Sequence, residues 1–286
     1  MRIVNLLAFF FVLSIIAWNK SNAQLPKTNI WLMDLGGEKD SLYLKNPKKI
    51  TRDGNYDNQP FFTPDHLGLL FTQEGKDKQT DISFYYLKSS KTKRITKTKE
   101  SEYSPKGQNA SNFTCVRVDK DSMQRLYSYS SSHSEGKRIF LQSDSIGYYE
   151  IAGNKMVYFK ITSPPSIWCA DSLNEFRISG IPGRCFVTSA DKQKIWFGQK
   201  MGNAYLLTSM KGDNLSFAQG LPGNAEFFVF YDETTVIINT ENGLQVFDML
   251  TGIIKNITFP NELISAKLSR FAINPTKTKM AFVFEE

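Results

Sequence analysis

The stretch Gln59 to Phe71, QPFFTPDHLGLLF, sets an apolar strand against a Pro-Asp turn and a second apolar strand that closes on an aromatic residue. The same layout returns along the chain. Phe71 follows Pro64 by seven positions, and the same distance separates Ala152 from Phe159, Ala190 from Phe197, Tyr231 from Ile238 and Pro275 from Phe282. A sixth copy, EYSPKGQNASNFTCVRV, is anchored on Pro105 and carries a short insertion before its apolar run. The anchors at 64, 105, 152, 190, 231 and 275 lie 41, 47, 38, 41 and 44 residues apart. Proline presets the backbone for a turn, and Asp, Asn or Gly completes it. Two further short strands follow in most copies: DISFYYL and KRIT, IWCAD and EFRIS, AYLLTS and LSFAQ, GLQVFDM and IKNIT. Runs of β-branched and aromatic residues bounded by Gly, Asn, Asp and Ser are strand signals.

Four strands in roughly 40 residues is the period of a propeller blade. One such sheet cannot bury both faces alone, so blades must stack face to face in a ring. Phe71, Phe159 and Phe282 are expected at the blade contacts. The last copy, RFAINPTKTKMAFVFEE, supplies two strands, whereas NIWLMDL and SLYL supply two without the Pro-turn hairpin. Joined, they make one blade from both ends of the chain, which closes the ring and removes its open edge. The expected fold is all-β: one six-bladed β-propeller over residues 24–286, with four-stranded antiparallel blades and a blade shared by the N- and C-terminal strands.

KKITRDGNYDN before QPFFTPDHLGLLF, and KRITKTKES before EYSPKGQ, resemble the WD40-like repeat of the TolB-type six-bladed β-propeller. That repeat has a Leu-Thr or Ile-Thr pair and a short acidic loop, then P-x-[FW]-S-P-D-G ahead of an apolar strand. NIWLMDL is similar to the strand that follows it. The copies anchored at Ala152, Ala190 and Tyr231 lack the proline. The resemblance runs from about Asn29 to the end and implies the fold. TolB proteins carry an α/β domain ahead of the propeller, and propeller peptidases of the prolyl oligopeptidase type add an α/β-hydrolase domain. Neither is expected within these residues, so neither a Tol-Pal partnership nor peptidase activity carries over.

At the N-terminus Arg2 precedes an apolar run from Ile3 to Trp18, and Ser21 and Ala23 stand at the −3 and −1 positions of a cut before Gln24. This is the layout of a secretory signal peptide over residues 1–23; the rival, a membrane-spanning helix, wants about 20 apolar residues. The expected location is periplasmic or secreted, with membrane contact only through this segment before cleavage. Arg2 and Lys20 leave with it, lowering the formal charge from +7 to +5. The one dense basic run, KTKRITKTK at Lys91 to Lys99, falls where an outer strand and its exit loop are expected. It reads as a lysine-protected sheet edge, and no nucleic-acid partner is expected.

An exported chain permits disulfides, and Cys169 with Cys185 is the pair to test. Otherwise Cys115, Cys169 and Cys185 read as small buried apolar residues, since their spacing matches no zinc module. His66 sits in the Pro-Asp turn and His133 in a polar hairpin, neither with a second histidine at ligand spacing, so no metal or cofactor is expected. SHSEG at Ser132 to Gly136 lacks the first glycine and the strand-to-helix setting of a nucleophile elbow. SADKQKIW at Ser189 to Trp196 resembles the Asp-box of sialidase propellers with Gln193 in place of glycine, a structural turn in that family. Triplets starting at Asp40, Asp121, Asp144 and Asp171 resemble an O-glycosylation acceptor of Gram-negative periplasmic proteins, which fits export.

In a propeller the loops entering the innermost strands gather around the channel mouth. Here they are RDGNYDN, TKESEY, SDSIGYY, GIPGRC, GLPGNAEF and FPNELISAKLSR. They bring Asp57, Asn58, Glu100, Glu102, Asp144, Tyr148, Arg184, Asn224, Glu226, Lys267 and Arg270 to one face. Convergent polar groups over a concavity make a binding site, although any single one of them reads more readily as a solvated loop residue. The expected function is an exported, monomeric, non-catalytic module that binds a protein, peptide or glycan there, or serves as a scaffold. The alternative is a carbohydrate hydrolase or lyase using carboxylates or Tyr148 of the same loops.

Overall fold

The computed structural model describes residues 25–130, 132–263 and 266–286; the expected signal peptide lies outside the described residues. The first strands are β1 (Thr28–Gly36) and β2 (Tyr43–Lys49). Blade I follows with β3 (Asp57–Phe62), β4 (Gly68–Glu74), β5 (Thr80–Tyr86) and β6 (Lys91–Arg94). Blade II is β7 (Glu102–Asn109), β8 (Asn112–Val118), β9 (Gln124–Ser130) and β10 (His133–Arg138). Blade III is β11 (Ile146–Ala152), β12 (Lys155–Lys160), β13 (Ser166–Ala170) and β14 (Glu175–Ser179). Blade IV is β15 (Pro182–Thr188), β16 (Ile195–Met201), β17 (Ala204–Lys211) and β18 (Asn214–Leu221). Blade V is β19 (Phe228–Phe230), β20 (Thr235–Thr240), β21 (Gly243–Asp248) and β22 (Ile254–Asn256). Blade VI combines β23 (Leu268–Ile273) and β24 (Lys279–Glu285) with β1 and β2, in the order β2-β1-β24-β23. The sixfold antiparallel propeller expected from the repeat is the observed fold.

Closure rests on β1 lying antiparallel to β24, from Thr28 opposite Glu285 to Asp34 opposite Lys279. Middle strands have both faces buried, so alternate residues serve different cores. In β4, Leu69 and Phe71 face blade VI while Leu70 faces blade II. Six apolar cores result, one between each pair of neighbouring blades, and the sixth joins VI to I through Ile30, Leu32, Val283, Leu69 and Phe71. Only a ring of six has as many contacts as blades. Phe71, Phe197 and Phe282 are fully buried, each contributing roughly 1.5 to 3 kcal/mol. Phe159 is half-buried against the III–IV core.

The Ile-Thr pairs do the same work twice. The Ile30 amide donates to Thr51 Oγ1 at 2.9 Å, and the Ile82 amide donates to Thr96 Oγ1 at 2.8 Å. Each threonine ties the end of an outer strand back to the third strand of its blade. The inner hairpins share a second device. Thr63 Oγ1 donates to Asp65 at 2.6 Å in blade I and Ser189 Oγ to Asp191 at 2.5 Å in blade IV. The next turn residues, His66 and Lys192, take φ of 60° and 55°. His66 and the Asp-box segment are therefore turn architecture.

One expectation is corrected. Pro105 does not turn a hairpin: it lies inside β7, after Ser104 at φ 53°, where the strand bulges between Tyr103 and Lys106. Its counterpart is Pro60, after Gln59 at φ 58° in the bulge of β3, and the β7–β8 turn falls at Ala110 and Ser111. An inner strand is a sheet edge, so a residue without N–H is tolerated at its bulge. The question left open by the cysteines is answered: Cys169 and Cys185 form no disulfide, and all three cysteines are free and buried, as small apolar residues would be. Cys169 packs in the III–IV core and Cys185 in the IV–V core, so the sheet of blade IV separates them.

The first residues of β3 and β7, Asp57 and Glu102, are buried carboxyls. Glu102 accepts from Thr98 Oγ1 at 3.0 Å and from the Tyr129 hydroxyl, and burial raises its pKa. Burial, reinforced by Glu74 and Glu286, pushes Asp57 up to about 7 against the lowering effect of Thr51 and Gln73. The folded chain thus keeps this proton to about 7, whereas an unperturbed carboxyl releases it near 3.8. Native stability should therefore fall as pH rises through that interval and level off above it. Asp57→Asn removes the ionisation. In urea unfolding at about pH 4 and about pH 8 the variant should gain on the native chain at the higher pH, by at most about 4 kcal/mol. Equal differences at both values would contradict this.

Candidate functional site at the channel mouth

Every blade begins with its innermost strand, so all six inner strands run the same way and their entry loops share one face. Near that end stand Tyr56 just before β3, Tyr103 in β7, Tyr148 in β11, Arg184 in β15, Glu226 and Phe227 just before β19, and Arg270 in β23. Each blade contributes. The Arg270 guanidinium lies over two rings, 4.5 Å from the Tyr148 centroid and 4.6 Å from that of Phe227. It therefore spans from blade VI toward blades III and V. Arg184 reaches the same Phe227 ring at 5.5 Å, while Tyr56 and Tyr103 meet edge to face with centroids 6.3 Å apart.

The electrostatics of this cluster are uneven. Arg184 and Glu226 form a fork: Nε to Oε1 at 2.8 Å and Nη2 to Oε2 at 2.6 Å, with the Arg184 amide also donating to Oε1 at 3.0 Å. Burial alone would raise the Glu226 pKa, but the Arg184 hydrogen bonds and charge win and hold it below its ordinary value, with Arg270 adding to the effect. That bond in turn raises Arg184. Arg270 has no carboxylate in salt-bridge reach and no hydrogen bond from its guanidinium among the described residues. The cluster has two guanidiniums and one carboxylate, leaving it with an excess positive charge. Aromatic faces strengthen the hold on a cation without satisfying its N–H donors, which stay free for an anionic or carbonyl group.

Further along the inner strands the channel is bridged. Gln59 Oε1 accepts from Thr72 Oγ1 and the Ser104 amide, both at 2.8 Å, and Ser104 Oγ donates to the Gly147 carbonyl at 3.2 Å. Lys106 of blade II reaches across: its Nζ donates to Glu150 Oε2 at 2.6 Å in blade III and to the Phe186 carbonyl at 3.2 Å in blade IV, above the Phe61 ring of blade I.

Of the residues expected at the mouth, Tyr148, Arg184, Glu226 and Arg270 come together. Asp57, Asn58 and Glu102 are buried; Asn58 accepts from the Gln59 amide at 2.7 Å. Glu100 lies in the loop before β7, where its carbonyl accepts from Thr98 Oγ1 and Gln79 Nε2. Asp144 is half-buried, 3.9 Å from Lys160, whereas Lys267 is exposed and pairs with Glu285. The Asn224 carbonyl accepts from the Glu226 amide at 3.0 Å, shaping that loop. Tyr56, Tyr103 and Phe227 were not among the expected residues, which were mainly the polar groups of the loops. Their signal was an aromatic residue beside the first position of three inner strands, in NYD, EYS and EFF. Among the described residues no group of His, Cys, Asp and Glu is arranged to hold a metal ion.

No family profile matches the chain, and no curated protein matches its sequence. Solved structures do match. A putative TolB from Agrobacterium tumefaciens aligns at TM-score 0.64 and 12% identity, over 92% of this chain and 99% of that one. The fold is that of a TolB-like propeller. A chain of the nidogen/laminin complex aligns at TM-score 0.59 and 9% identity, over 90% and 98% of the two chains. An oligogalacturonate lyase from Vibrio parahaemolyticus does so at 0.56 and 9%, over 86% and 83%. At such identities the TolB-like likeness extends to the backbone, and the mouth residues must be weighed on their own chemistry.

The Lys106–Glu150 pair yields a test of the channel floor. Removing one partner strands the other charge in a half-buried setting, so Lys106→Met and Glu150→Gln should each cost roughly 2 kcal/mol. The double variant should cost less than their sum. Additive losses in urea unfolding would show that the pair is not coupled.

Proposed function

We propose that this chain is an exported binding module, with residues 1–23 removed on export, that captures a protein, peptide or glycan partner on the channel mouth. The reading rests above all on Arg270, a cation held over Tyr148 and Phe227 with its hydrogen-bond donors unused. Beside it the Arg184–Glu226 fork fixes the geometry of the second guanidinium. Rigid aromatic platforms with arginine at the centre of a concavity are the residue types that dominate binding energy at interfaces. Scaffold duty in an envelope assembly would use the same surface.

The alternative, carbohydrate cleavage, has the support of a lyase that shares the backbone. Acid-base cleavage of a glycosidic bond by paired carboxyls needs two of them about 5 to 9.5 Å apart with distinct roles. In this cluster Glu226 is already committed to Arg184, which favours binding over turnover.

Replacing Arg184, Glu226 and Arg270 together by alanine should remove partners recovered by pull-down from an envelope extract, while the thermal midpoint shifts little. An unchanged set of captured partners would reject the mouth as the binding site. Sustained product release from a glycan panel by the native chain would favour the cleavage reading.

A further inference from the structure

We propose that β18, the outer strand of blade IV, is a self-pairing edge through which two copies of this chain join. An outer strand presents a row of unpaired backbone N–H and C=O groups, and proteins blunt such edges with charge, above all lysine. Five of the six outer strands obey this rule: β2 carries Lys45, Lys48 and Lys49, β6 Lys91, Lys93 and Arg94, β10 Lys137 and Arg138, β14 Arg177, and β22 Lys255. The exception is β18, NLSFAQGL, which has no charged residue and, at eight residues, is the longest of the six. Its backbone bonds only to β17 among the described residues.

The large exposed side chains on this edge, Leu215 and Phe217, are apolar and share a face, with the small or polar Asn214, Ser216 and Ala218 exposed beside them. Phe217 is 61% exposed and Leu215 38%. In the ladder Phe217 stands opposite Thr208 and Leu215 opposite Met210, and Met210 belongs to the III–IV core. Directly opposed residues project from the same side of a sheet, so Leu215 and Phe217 continue the rim of that core. Phe176, 42% exposed and opposite Cys169 of the same core, extends it on blade III.

The occupant follows from symmetry and charge. Two identical strands pairing antiparallel are related by a two-fold axis perpendicular to the sheet, which sets odd-numbered residues only against odd-numbered ones. Leu215 and Phe217 of one copy therefore meet the same apolar face of its mate. At β2, β6 and β22, whose charges are all basic, self-pairing would bring like charges together, on a chain whose formal charge without residues 1–23 is already +5; β10 and β14 carry Glu135 and Glu175 beside their bases and are shorter and charged. At β18 it meets no such repulsion. The result is a continuous eight-stranded sheet across the two blades IV, with the channel mouths separate from the contact.

Sedimentation of the purified chain over a concentration series should show a reversible monomer–dimer equilibrium. Phe217→Lys, which restores the missing edge charge, should weaken it by at least about tenfold, whereas Thr92→Lys on β6 should leave it unchanged. Hydrogen exchange on the native chain should show the amides of Asn214–Leu221 gaining protection as concentration rises, a readout that needs no variant to fold. A chain that stays monomeric throughout would overturn the proposal and leave β18 to a foreign strand. A dimer that forms without protecting those amides would overturn it equally.

Discussion

The pairing of β1 with β24 carries the architecture. An open arc of six blades would leave two apolar sheet faces in water, one at each end. Residues Thr28 to Asp34, lying along Lys279 to Glu285, place both ends of the chain in one sheet, so that Ile30 and Leu32 supply the sixth core. Polar contacts pin the seam: Asn29 Nδ2 donates to Glu286 Oε1 at 2.7 Å, the Gly54 amide to the same carboxylate at 2.8 Å, and Lys279 pairs with Asp34. A contact spanning most of the chain imposes a large loop entropy, but one that grows only logarithmically with length. A complete apolar core can outweigh it.

The mouth depends on this closure. Arg270 belongs to the shared blade, and its guanidinium touches rings from blades III and V. Contacts across the channel occur only because the ring brings nonadjacent blades face to face. Lys106 uses the same circumstance lower down, with a carboxylate of blade III and a carbonyl of blade IV as its partners. The two cations differ in outcome. Lys106 has found a carboxylate and a carbonyl and acts as a brace, whereas Arg270 has found only π faces and retains donors for a ligand.

The repeat, the strand count and the terminal blade were legible because they rest on local chemistry: turn residues, runs of β-branched and aromatic residues and a spacing of about 40 residues. The Ile-Thr pairs were legible too, since the same bond from a backbone amide to the threonine hydroxyl forms at Thr51 and Thr96. The copy containing Pro105 was read out of register, because a proline before an apolar run suits a bulge as well as a turn. The mouth was half legible. Loop order told which segments converge, but Asp57 and Glu102, polar and well placed in sequence, turn into the blades, while Tyr56 and Tyr103 face each other.

What the chain's order of residues determined by itself is a set of hairpins that can bury both faces only by stacking, and hence a propeller of six blades. Which side chains reach the channel was decided by tertiary structure alone. A bulge shifts the alternation of an inner strand by one residue, and with a period of two that shift sends a side chain to the opposite face. The separation of Cys169 from Cys185 has the same origin: neighbours in sequence order, they belong to cores on opposite sides of one sheet.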